Sequence, residues 1–118
     1  MNESILTSVK KLLGIVGDVR HFDTDIIIHI NAVFSILNQM GVGPEEPFAI
    51  SDDTAVWDDF LNGRKDIEMI KSYMYMKVRM MFDPPTGAVM ESMKNMIAEY
   101  EFRMYSQDNF KKEDNKDV

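Results

Sequence analysis

His21, Asp23, Asp25 and His29 come closest to a chemical constellation in this sequence. Imidazoles and carboxylates at short spacing ligate divalent metals or relay protons. Asp25 and His29 stand four apart, on one face of any helix that carries them. The set stops there: that face holds too few ligands for a structural metal site, and no His-Glu-x-x-His pattern is present. Asp23 and Asp25 have a commoner use at a helix N-terminus, where carboxylates cap free N–H groups and suit the dipole. Capping is the favoured reading. A metal-dependent enzyme built on residues 21–29 is the weakest functional alternative.

A second group is acidic. Glu45, Glu46, Asp52, Asp53, Asp58 and Asp59 fall within residues 42–63, a segment without Lys or Arg. They lack EF-hand spacing, so a solvated acidic surface with some capping carboxylates is expected. The sequence holds no Gly-x-Ser-x-Gly, no phosphate-binding loop and no dinucleotide fingerprint. It has no cysteine, which removes disulfides, thiolate ligands and a thiol nucleophile. No catalytic residue, metal or cofactor is expected, and the chain reads as a protein that is not an enzyme.

The elements carrying these residues read as helices. Residues 3–13 place Ile5, Leu6, Val9, Leu12 and Leu13 at helical spacing, and Gly14 ends the run. Residues 24–40 form a second helix, capped by Asp23 or Thr24 and ended by Gly41. In the link 42–53, Phe48 and Ile50 alternate with Ala49 and Ser51, which fits a very short strand. Residues 54–61 form a helix of one to two turns, with Asp52 or Asp53 as cap and Trp57 anchoring it to the rest. Residues 66–82 and 87–105 are two further long helices. Asp83-Pro84-Pro85-Thr86-Gly87 separates them; proline cannot continue a helix, and Thr86 is placed to cap the next one. So short a link folds the pair into an antiparallel hairpin. The three long helices span roughly 25–28 Å each.

The fold class expected is therefore all-α: a small bundle of three long helices, a first short helix and a helix of one to two turns. Residues 1–106 make the helical domain. Residues 107–118, almost all polar, form a flexible charged tail that cannot offset its own ordering entropy.

Composition narrows the function. A chain of 118 residues, 45% hydrophobic, suits one domain with a real core. No run reaches the ~18 apolar residues of a membrane span. Met1-Asn2-Glu3-Ser4 lacks the basic start of a signal peptide, so synthesis in a cytoplasm is expected. The net charge is −7, and residues 42–63 hold six of the 20 acids and none of the 13 bases. Such a chain grips phosphate backbones poorly, because nucleic-acid affinity comes largely from Lys and Arg. No helix presents a basic stripe.

Apolar surface is in surplus. Ile26, Ile30, Val33, Leu37 and Met40 form one stripe of the second helix, while Ile27, Ile28, Phe34 and Ile36 spread around it. Over 66–82, Met69, Tyr73, Met76 and Met80 make a second stripe beside Ile67, Ile70, Met74, Val78 and Met81. Arcs this wide need cover on several sides, and a neighbouring copy is a natural cover. Candidate subunit-interface residues are Ile27, Ile28, Phe34, Met69, Tyr73, Met76 and Met80. The eleven methionines serve first as core filler, and second as an adaptable contact surface.

The ordered set of segments also resembles a known family. Ile5–Gly14, Phe22–Asn31, Leu37–Pro44, Trp57-Asp58-Asp59-Phe60-Leu61 and Tyr75–Pro85, above all the FDPP link and the WDDFL segment, are similar to the head–tail connector (adaptor, or head-completion) proteins of long-tailed bacteriophages. The resemblance runs from residue 5 to about 104. It implies a small helical bundle that assembles as a homo-oligomeric ring, usually dodecameric, under the portal protein. Such a ring extends the DNA channel and offers a platform for stopper or tail proteins. DNA passes without sequence-specific binding, no membrane is involved, and the protein resides in the virion after synthesis in the host bacterial cytoplasm. Glu45, Glu46, Asp52, Asp53, Asp58 and Asp59 are then candidates to face the lumen or a partner. The main alternative is a small acidic phage-encoded regulator or inhibitor that binds a host protein.

Overall fold

Ser4 starts the first helix. Its side chain accepts a hydrogen bond from Thr7 N at 3.2 Å, which satisfies a backbone donor that the helix leaves free. The computed structural model describes residues 3–16, 18–61 and 66–116, with side chains through Tyr105. Helix α1 spans Ile5–Leu12. Gly14 N donates to Lys11 O and Ile15 N to Lys10 O, at 3.1 and 2.9 Å, closing the helix with a Schellman pair.

Helix α2 spans Asp23–Gln39 and ends the same way. Val42 N donates to Leu37 O at 2.9 Å and Gly41 N to Asn38 O at 3.0 Å. Gly41 takes φ 81° there, a conformation that costs glycine no steric clash. Val42 and Leu37 are both buried, supplying the apolar contact that accompanies this ending. The start of α2 differs from the sequence expectation. Phe22, not Asp23 or Thr24, holds the capping position and makes no side-chain cap bond. The Asp23 carboxylate is taken instead by Lys10 Nζ at 2.7 Å.

Helix α3 spans Trp57–Leu61. Its expected caps, Asp52 and Asp53, lie too far upstream. Asp59 reaches back instead, accepting from Val56 N at 3.0 Å. Asp52 closes a local turn by accepting from Thr54 N at 2.9 Å and Thr54 Oγ1 at 2.6 Å. The short strand expected at 48–51 does not form. Ile50 pairs with a side chain: Asn31 Nδ2 donates to Ile50 O at 2.9 Å, and Ile50 N donates to Asn31 Oδ1 at 2.8 Å. One amide thus replaces a strand partner. The only β pairing among the described residues is an isolated antiparallel bridge between Ser4 and Val56. It ties the start of α1 to the start of α3.

Helix α4 spans Ile67–Phe82, and α5 is Gly87–Lys116. Thr86 stands just before α5. The 107–118 tail lies where side chains fall outside the described residues; the backbone is helical through Lys116.

Packing centres on α4, which touches α1, α2 and α5. Ile70, Tyr73, Met74 and Val78 of α4 meet Ile26, Ile30, Val33 and Leu37 of α2 and Ile5, Leu6 and Val9 of α1 in one buried cluster. Trp57 joins that core: its Nε1 donates to Ser8 Oγ at 2.8 Å, and its ring lies 6.4 Å from Phe34. The anchoring role read for Trp57 is thus met by α1 and α2 together. The all-α class read from the sequence is the observed one.

Candidate assembly surfaces

The seven apolar residues proposed for subunit contact divide into two groups. Phe34, Tyr73 and Met76 are 1%, 0% and 4% exposed, so this part of the expectation is corrected: the chain covers them itself. Phe34 is enclosed by the rings of Phe48 and Phe60, at 4.9 and 4.7 Å. Tyr73 is covered where α5 crosses α4, and its hydroxyl donates to Glu101 Oε2 at 2.7 Å. The central place of α4 gives both of its stripes a partner, which periodicity alone does not reveal. Ile27, Met69 and Met80 are half-buried, and Ile28 is 59% exposed.

Other apolar side chains stand out instead. Leu12, Val16, Met81, Met96, Phe102 and Tyr105 are all exposed, Phe102 most of all at 71%. Phe102 had a readable signal. It lies nine residues from the buried Met93, half a turn out of phase with the core stripe of α5.

The six acidic candidates do not form one site. Glu45 and Glu46 are exposed between Pro44 and Pro47. Their backbone is pinned to α2, because Asn38 Nδ2 donates to Pro44 O at 3.4 Å and to Glu45 O at 3.2 Å. Asp52 is engaged with Thr54, whose hydroxyl and amide hold its carboxyl below the usual carboxylate range. Asp53 pairs with Arg20 at 3.3 Å. Asp58 and Asp59 are exposed on α3, where Asp59 also serves as the cap described above.

The stretch 21–29 is tied into the fold by an ion pair and ring contacts. Lys10 is almost fully buried; its Nζ donates to Val19 O at 2.7 Å and meets Asp23 Oδ1 at 2.7 Å. That second contact is ionic, without the direction of a hydrogen bond. Together they fasten the loop before α2 to α1. His21 packs edge-on to Phe22, and His29 lies 6.4 Å from Phe82. Among the described residues, no group of three or more His, Cys, Asp or Glu is placed to hold a metal.

Two grooves flank α4. The larger, about 880 Å³, lies between α1, α4 and α5, and its walls include Lys11, Leu12, Met69, Tyr100 and Arg103. The smaller, about 290 Å³, lies between α2, α4 and α5. Ile36, Met80, Met81, Ile97 and Ala98 form its apolar lining, with Lys77, Lys94 and Glu101 at the edge.

A family model described as "phage connector protein" matches residues 5–111. The chain belongs to that family. No curated protein and no solved structure matches it. Connectors are structural proteins of the phage head–tail region, not enzymes. That family membership implies a place in the virion. Among the described residues, no helix is long and apolar enough to cross a membrane.

Proposed function

We propose that this connector is the adaptor of the head–tail junction. Copies form a ring that docks on the portal protein, extends the DNA channel and presents a platform for the stopper or tail-completion protein. The observation that carries this reading is the family match over nearly the whole chain. The structure adds physical support. Exposed Ile28, Met81 and Phe102 supply apolar flanks, and head-to-tail contact between two different flanks closes a ring. The ring is proposed as dodecameric, from the resemblance.

Part of the acidic segment, Asp58 above all, faces the channel in this reading. Carboxylate walls repel phosphate and let DNA slide without sticking. Asp58→Lys should then slow DNA ejection from assembled particles. Unchanged DNA retention and ejection would place Asp58 elsewhere. The adaptor role itself is tested by adding purified protein to portal-bearing heads that lack it. A ring of extra density below the portal, seen by electron microscopy, is expected. A protein that stays off those heads and instead binds one host protein tightly is the acidic regulator, not an adaptor.

A further inference from the structure

We infer that neighbouring copies join by seating the Pro44-Glu45-Glu46-Pro47 ridge of one subunit in the α2–α4–α5 groove of the next. This rests on the adaptor reading for its partner, a second copy of the chain, and adds which surfaces meet.

The ridge and the groove lie on opposite flanks of α2. Asn31 and Asn38, seven apart and hence on one side, hold the link 44–50 through their side-chain amides. Ile36 lines the groove. At 3.6 residues per turn, Ile36 and Asn38 project about 160° apart around the helix axis. The ridge therefore cannot fold into its own groove. Two different patches on opposite sides give a head-to-tail contact, the kind that closes a ring when the rotation fits.

The chemistry of the two patches is complementary. Ile36, Met80, Met81 and Ile97 give the groove an apolar lining. Its edge carries Lys77 and Lys94 against the single carboxylate of Glu101, 3.6 Å from Lys77 Nζ. Among the described residues Lys94 has no ion-pair partner. The ridge offers the missing charge: Glu45 and Glu46 are exposed, also without an ion pair among the described residues. Their flanking prolines match an apolar lining and restrain the backbone, so that docking orders little that was free. The groove's 290 Å³ is several times the ~30 Å³ share of one liquid water, enough for side chains. The larger groove suits the ridge less well. Two of its three cations are already paired, Lys71 with Glu3 at 2.8 Å and Arg103 with Glu99 at 3.3 Å, and its lining carries two carboxylates, Glu3 and Glu68, that would repel an acidic ridge.

The test uses the full chain on portal-bearing heads. Glu46→Lys and Lys94→Glu should each lower incorporation about tenfold or more, since each brings like charges together. The double reversal should restore it. Because the chain has no cysteine, Glu46→Cys and Lys94→Cys give a clean second readout. Under oxidation on the heads, the double-cysteine variant should form a ladder of multimers, whereas a mixture of the two single variants should stop at dimers. Each single variant alone should stay uncrosslinked. Dimers from Glu46→Cys alone indicate a symmetric contact and overturn the inference. So does a missing ladder, or full incorporation of both charge variants, while wild type loads normally; the adaptor reading then survives. Failure of wild type itself to load overturns the adaptor reading and this inference with it.

Discussion

Asn31→Ala tests how the acidic segment is held to the helices. Asn31 lies in the middle of α2, and its amide satisfies both backbone groups of Ile50, at 2.9 and 2.8 Å. The Ile50 side chain is buried, so a local rearrangement cannot simply turn this backbone to water. Each hydrogen bond contributes about 0.5–1.5 kcal/mol net, and each group left buried and unsatisfied costs about 1–3 kcal/mol. The site is only partly buried, so water recovers part of that loss. A net destabilisation of about 2 kcal/mol follows, the middle of the ~1–3 kcal/mol that two such bonds sum to. For a chain of this size, between the ranges of small and medium domains, that lowers Tm by about 8 °C. Calorimetry measures the loss, and hydrogen exchange localises it: the Ile50 amide should lose protection while Leu37 and Val78 keep theirs. Asn31→Asp retains the acceptor for Ile50 N but sets a carboxylate against Ile50 O, so it should not rescue. If Asn31→Ala stays within about 0.5 kcal/mol of wild type with Ile50 still protected, the amide clamp is not what fixes the link.

Two further outcomes follow from the same geometry. Gly43 has φ 93°, and a Cβ there would fall 2.6 Å from Cε1 and Cζ of Phe60; that ring is buried and has no room to retreat, so Gly43→Ala should cost about 1–3 kcal/mol in urea unfolding. Burial, and then the facing Glu101 carboxylate, holds the Tyr73 hydroxyl far above its ordinary value of 10.0. The folded chain thus keeps this proton at pH values where the unfolded chain has lost it, so the contribution is whole below about pH 10 and fades as pH rises beyond it. Ultraviolet titration should show a tyrosine that ionises only on unfolding, and Tyr73→Phe should remove that step.

Helix positions were legible because periodicity and punctuation agree. The FDPP link stops α4 at Phe82, and α5 begins at Gly87, because proline acts locally whatever the tertiary context. Caps were less legible. Many Asp residues lie near helix starts, and sequence does not say which reaches a free N–H; Asp59 won over Asp52 and Asp53 because it sits inside the first turn. The alternation at 48–51 suggested a strand, but extended backbone needs only a donor and an acceptor, and a distant Asn31 supplied both. An asparagine inside a helix is itself a faint signal, since its side chain disfavours that setting without a partner. Of the candidate interface set, only the exposure of some members was legible. Width of an apolar arc tells how much cover a helix needs, but not who provides it. Phe34 and Tyr73 found cover from Phe48, Phe60 and α5.

This internal cover has a consequence for assembly. A subunit that buries Phe34, Tyr73 and Met76 on its own does not need neighbours in order to fold. The proposed contact itself draws on little surface: a groove of about 290 Å³ and a four-residue ridge. Stable protein interfaces bury about 1,200–2,000 Å² in total, more than one ridge in one groove supplies. A single subunit contact should thus be weak, and a ring should form only where something gathers copies at high local concentration. The portal is that template in the adaptor reading. Sedimentation of the purified protein at micromolar concentration should therefore show a monomer, and rings should appear only on portal-bearing heads. A stable free ring at that concentration would mean that the contacting area is far larger than the groove and ridge provide.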